Sequence, residues 1–150
     1  MKLSNFLFLF VTGIFMACQS NQSTPNNKET SKTTPTSQTC YTYTKNRDTA
    51  SLTLISTGLI VTGELRYQLF EKDSNTGVLQ GEMRGDTLVA DYTFNSEGMK
   101  SVRQVAFLKK EGKLLEGFGD VIEKDGKMVF KTLSTLKFGN SIEFEKVSCK

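Results

Sequence analysis

The sequence predicts an all-β chain whose antiparallel strands close into a small up-and-down barrel, and three features carry that prediction. Short runs alternate apolar and polar residues, nearly every run ends in a glycine-bearing turn, and one cysteine stands at each end of the patterned region. Connections this short join antiparallel neighbours, because parallel strands need crossovers of a dozen residues or more. The expected order is a meander of about eight to ten strands, with a twisted sandwich as the alternative.

The chain opens on an address. Lys2 precedes the mainly apolar run Leu3–Met16, which is too short to span a bilayer comfortably, and the small residue Ala17 stands directly before Cys18. This is the layout of a cleaved secretory signal. The tetrad Phe15-Met16-Ala17-Cys18 resembles a bacterial lipobox. That resemblance implies cleavage before Cys18, a diacylglyceryl group on its sulfur and fatty acylation, such as palmitate, of the new first residue. Residues 19–39 hold Gln, Asn, Ser, Thr and Lys with both prolines of the chain, Pro25 and Pro35, and offer no apolar side chain to bury. Such a segment does not offset the entropy of ordering, so it is expected to be a disordered tether. The expected organisation is a signal peptide over 1–17, lipidated Cys18 and tether over 18–39, and a barrel domain over 40–150. Gln19, where an aspartate would imply retention at the inner membrane, implies the outer membrane, and the lack of an acidic cluster after Cys18 favours its periplasmic face.

From Cys40 the runs follow one another. Tyr41–Thr44 alternates β-formers, Arg47-Asp48 turns, and Ser51–Ser56 resumes. Within Leu59–Phe70, Leu65, Tyr67 and Leu69 share one face while Glu64, Arg66 and Gln68 share the other, the pattern of a half-buried strand. Lys72–Gly77 reads as a turn, with Gly77 available for positive φ. Val78–Arg84 and Leu88–Phe94 form a hairpin around Gly85-Asp86, with Leu88, Ala90, Tyr92 and Phe94 on one face. Ser101–Leu108 offers Val105 and Phe107 to the interior, and Leu114–Ile122, Met128–Leu133 and Ser141–Val147 complete the set. Glycines inside strands (Gly63, Gly81, Gly117, Gly119) suit the bends of a small barrel. The small inward residues Gly81, Ala90, Gly117 and Gly119 favour an interior cavity.

Composition excludes more than it selects. With 150 residues there is room for one core, and 19 Lys and Arg scattered against 16 Asp and Glu form no basic stripe, which argues against nucleic acid as a partner. With Cys18 committed to lipid, Cys40 and Cys149 are expected to form a disulfide, as suits an exported domain, and the first and last strands then become neighbours. The chain has no histidine and no tryptophan, so the usual general base and the commonest metal ligand are both missing. Paired carboxylates are the remaining route to catalysis, and Glu64, Asp73, Glu82, Asp86, Asp91, Glu97, Glu116 and Asp120 are available, several in turns or on outer faces. Asp73–Gly77 has the oxygen residues of a calcium loop with the wrong glycine spacing and no closing glutamate. Neither catalysis, a metal nor a cofactor is expected.

The stretch Gly81–Phe107, through Gly85-Asp86, Asp91-Tyr92, Ser96-Glu97-Gly98 and Arg103, is similar to a pattern of small Bacteroidetes-type outer-membrane lipoproteins. The resemblance implies a shared lipocalin-like barrel and address, with no activity attached. Candidate binding residues are Tyr67, Tyr92, Ser96, Glu97 and Arg103; as structural elements, the tyrosines would be core residues with hydrogen-bonded hydroxyls, and Glu97 would pair with Arg103. The expected role is a monomeric, lipid-anchored, non-enzymatic binding module holding a small apolar ligand or serving envelope maintenance. The alternative is a protein partner: Ser96-Glu97-Gly98 is loosely similar to the serine-glycine loop of small barrel lipoproteins that inhibit host lysozymes.

Overall fold

The computed structural model describes residues 34–150 apart from Asp73 and Glu97, with the side chains of Ser96, Asn140 and Ser141 outside the description. The lipobox and residues 19–33 lie outside it as well. Ten strands are present: β1 (Thr36–Lys45), β2 (Asp48–Thr57), β3 (Ile60–Gln68), β4 (Asn75–Arg84), β5 (Thr87–Ser96), β6 (Met99–Lys110), β7 (Lys113–Phe118), β8 (Val121–Lys124), β9 (Lys127–Phe130) and β10 (Lys137–Val147). Eight of them, in the order β1-β2-β3-β4-β5-β6-β7-β10, close an antiparallel barrel of the lipocalin-like type, with β10 returning to β1.

Turn chemistry sets the meander. Glu111-Gly112 and Asp125-Gly126 both carry positive φ at two successive residues, the twist that matches the strands of a tight hairpin. The interior is filled by alternate residues: Leu52 and Leu54 from β2, Val61, Leu65 and Tyr67 from β3, Leu88, Ala90 and Tyr92 from β5, Val105 and Phe107 from β6, Leu114 from β7 and Phe144 from β10. The inward faces read from the sequence for β3, β5 and β6 are those observed. Cys40 and Cys149 are bonded, with their Cα atoms 5.2 Å apart, and hold the end of the chain against the first strand.

Several boundaries differ from expectation, each for a local reason. β1 begins at Thr36, ahead of the Cys40 boundary, because Thr36–Thr39 pair with Ile55–Thr57 and Leu54 of β2; polar β-branched residues extend an edge that composition assigned to the tether. Gly77 is not a turn residue: it sits inside β4 between Leu65 and Phe94, where a side chain would strike the β5 backbone. The run Leu114–Ile122 breaks at Gly119-Asp120 into β7 and β8, and β9 stops at Phe130, followed by a single 3-10 turn over Leu133–Thr135.

The plain meander also ends at β7. Instead of continuing round the wall, the chain makes the β8–β9 hairpin, which lies beside the first half of β6 through one parallel bridge, Arg103 to Met128. Side chains fasten it there: Gln104 Oε1 accepts from the Phe130 amide at 3.2 Å, and Lys127 pairs with Asp91. β6 therefore meets β7 only from Phe107 to Lys110, and β7 meets β10 with an irregularity between Phe138 and Glu143. The wall opens between β6 and the end of β7.

Candidate functional site

That opening leads to a pocket of about 520 Å³. It lies at the end of the barrel that carries the β3–β4 connection, whereas β1 starts at the opposite end, beside the β2–β3 turn. Its apolar surface comes from Leu69, Val105, Phe118, Val121, Phe130 and Ile142, and its polar groups come from Tyr67, Asn75, Arg103, Gln104 and Glu116, with Lys72 at the edge. Gly117 and Gly119 belong to its lining, but they alternate with the inward Glu116 and Phe118, and their missing side chains make room for Phe138 and Leu136, not the cavity that the small-residue pattern predicts. A Cβ at Gly117 would meet the ring of Phe138, so this stretch of wall stays thin and lets that ring approach. Gly81 and Ala90 likewise face each other across β4 and β5 in tight contact and leave no space.

Glu116 is the centre of the polar group. It stands on β7 at an inward position two residues after Leu114 and is 5% exposed, the one charged residue among the buried residues described. Tyr67 donates its hydroxyl to Glu116 Oε1 at 2.7 Å. Burial pushes the Glu116 carboxyl above its usual range, against the opposing pull of the Tyr67 hydrogen bond and the nearby Arg103 charge. Burial, then Glu116, raises the Tyr67 phenol well above its ordinary value, and burial raises Tyr92 to about 12, so both hydroxyls stay protonated.

Arg103 enters from β6 over a floor of rings. Its guanidinium lies 5.5 Å from the centroids of Tyr67 and Tyr92 and 5.3 Å from Phe94, a cation against three aromatic faces or edges, and it forms no ion pair among the described residues. Tyr92 stacks on Phe94 and donates to the Leu65 carbonyl at 3.0 Å, which fixes the floor beneath the arginine. Among the described residues, three buried side-chain polar atoms have no hydrogen-bond partner: Asn75 Oδ1, Arg103 Nε and Glu116 Oε2. All three belong to residues that line this one pocket. Buried polar atoms are paired in the great majority of cases, and each orphan costs about 1–3 kcal/mol.

Of the residues singled out from sequence, the structure gathers Tyr67, Tyr92 and Arg103, with Tyr92 as support behind the lining. Ser96 ends β5 with its backbone paired to Met99 and its side chain outside the description, and Glu97 lies outside the described residues. The Arg103 side chain is directed among the interior rings, and its expected pairing with Glu97 falls outside the described residues. Both tyrosine hydroxyls are hydrogen-bonded, as their core reading predicts. Asn75 was not singled out from the sequence, and Glu116 entered only among the carboxylates available for acid–base chemistry, not as a binding residue. The signal for Glu116 was its place in the alternation Leu114-x-Glu116-x-Phe118; Asn75 was concealed in a stretch with the composition of a turn. No protein-family model, curated protein or solved structure matches this chain.

Proposed function

We propose that this chain is a lipid-anchored binding module of the bacterial outer membrane, facing the periplasm and held there through Cys18, whose barrel takes up a small, largely apolar molecule. The observation that carries the reading is that, among the described residues, all three orphaned buried polar atoms belong to residues lining one apolar-rimmed pocket. A fold tolerates such atoms at a cost in stability, and a bound molecule that pairs with them recovers part of it. A tether joins the domain at the start of β1, at the end of the barrel away from the pocket.

The test is titration of the full chain with N-phenyl-1-naphthylamine, an uncharged apolar fluorophore. Saturable enhancement at one site per chain, lost on Val121→Trp at the exposed mouth, is the expected result. A signal that rises without saturating ends the reading. The anchor is tested separately by incorporation of an alkyne-labelled palmitate in cells, which should vanish with Cys18→Ser; an unlabelled wild-type protein removes the lipid from the proposal.

A further inference from the structure

We infer that the head group accepted at the pocket floor is small, uncharged and richer in hydrogen-bond donors than acceptors, of the primary carboxamide class, and that a carboxylate head is refused. The inference rests on the ligand-pocket reading above and adds the chemistry of the occupant.

The orphaned atoms define a complement. Glu116 Oε2 and Asn75 Oδ1 each call for a donor, and Arg103 Nε–H calls for an acceptor. A primary carboxamide presents two N–H donors and one carbonyl acceptor, which matches that set one for one. A carboxylate presents acceptors only, and would set its own oxygens and charge against Glu116 Oε2. Arg103 does not reverse this, since Glu116 already supplies the negative partner to its field inside the pocket. An ammonium head supplies donors but leaves Arg103 Nε unpaired and adds a second cation to the floor.

Size follows from the same atoms. They are shielded from solvent by their neighbours, so the head must displace side chains at the floor to reach them, and a planar amide does so with little volume. Leu69, Phe118, Val121, Phe130 and Ile142 then take an alkyl or aryl body at the mouth.

The probes are octanamide and octanoate, equal in chain length, titrated calorimetrically into the full chain at neutral pH. Octanamide should bind at least tenfold more tightly. Glu116→Gln keeps an oxygen for Tyr67 and puts an N–H2 where Oε2 stood, so the preference should shift toward octanoate by about tenfold. Should that variant fail to fold, Asn75→Ala serves: octanamide affinity falls about fivefold while octanoate is unchanged. Octanoate binding as well as octanamide to the native chain overturns the head-group inference and leaves the pocket reading standing. Binding of neither probe at millimolar concentration overturns both.

Discussion

The two ends of the barrel are built from the same alternating strands and are packed in opposite ways. At the end where β1 begins, the interior is solid hydrocarbon and aromatic ring: Val61, Leu88, Phe107 and Phe144 are completely or almost completely buried, and Phe107 meets Phe144 edge to face at 5.8 Å between centroids. At the other end the wall parts between β6 and β7, and a carboxylate, a guanidinium and an amide line the space. Stability resides in the first end, and the proposed recognition in the second. Closing the wall at both ends would bury more apolar surface but leave no entrance, so the broken β6–β7 pairing marks where packing gives way to access.

Substitutions can break or sharpen this contrast. The largest effect is expected from Phe107→Ala, which empties the centre of the solid end and should cost about 3–5 kcal/mol in denaturant unfolding, with little change in ligand affinity where the fold persists. Cys149→Ser comes next. Reopening a disulfide of sequence separation 109 should cost about 2–5 kcal/mol. Because the bond restrains the chain as a whole and touches neither the floor nor the mouth, ligand affinity below the unfolding transition should hold.

Glu116→Gln is expected to act in the opposite direction. The folded state raises this carboxyl, so it holds the proton more tightly than the unfolded chain does, and stability falls as pH climbs from the ordinary carboxylate range through the raised value. The variant should therefore melt about 3–6 °C above the native protein near pH 7, and the difference should close near pH 4. A difference independent of pH would mean that the charge of Glu116 is not what destabilises the pocket end. The smallest stability effect belongs to Phe118→Ala: the ring is 44% exposed at the mouth, so the change should stay within about 0.5 kcal/mol while N-phenyl-1-naphthylamine affinity drops several-fold.

Much of the apolar interior was legible in the sequence. Period-two alternation put Leu65, Tyr67, Leu88, Ala90, Tyr92, Val105 and Phe107 on inner faces, and the spacing of Cys40 and Cys149 pointed to the closure. The pocket end was legible only in pieces. Tyr67, Tyr92 and Arg103 were singled out, yet nothing in the sequence set the Arg103 guanidinium among the interior rings, because a long cationic side chain on a strand is ordinarily a solvated one. Glu116 follows the same alternation as its apolar neighbours, but a carboxylate at an inward position becomes credible only when a partner is known, and Tyr67 is 49 residues away in sequence. The departure of β7 at Gly119-Asp120 was hidden for a similar reason. Leu114–Ile122 is continuous in β propensity, and the break comes from where β9 docks, a long-range fact.

The closing strand has a consequence for how the molecule comes to exist. β10 is the last of the described strands in chain order and pairs with the first, Val147 against Cys40, and it also supplies Ile142 to the pocket. A partial chain that lacks β10 cannot complete this barrel. Strands β1–β6 can pair in sequence as hairpins, but circular closure waits for β10 and pays the loop entropy of nearly the whole domain in one late step. The pocket is thus the youngest part of the fold, assembled only once β10 has joined both β1 and β7.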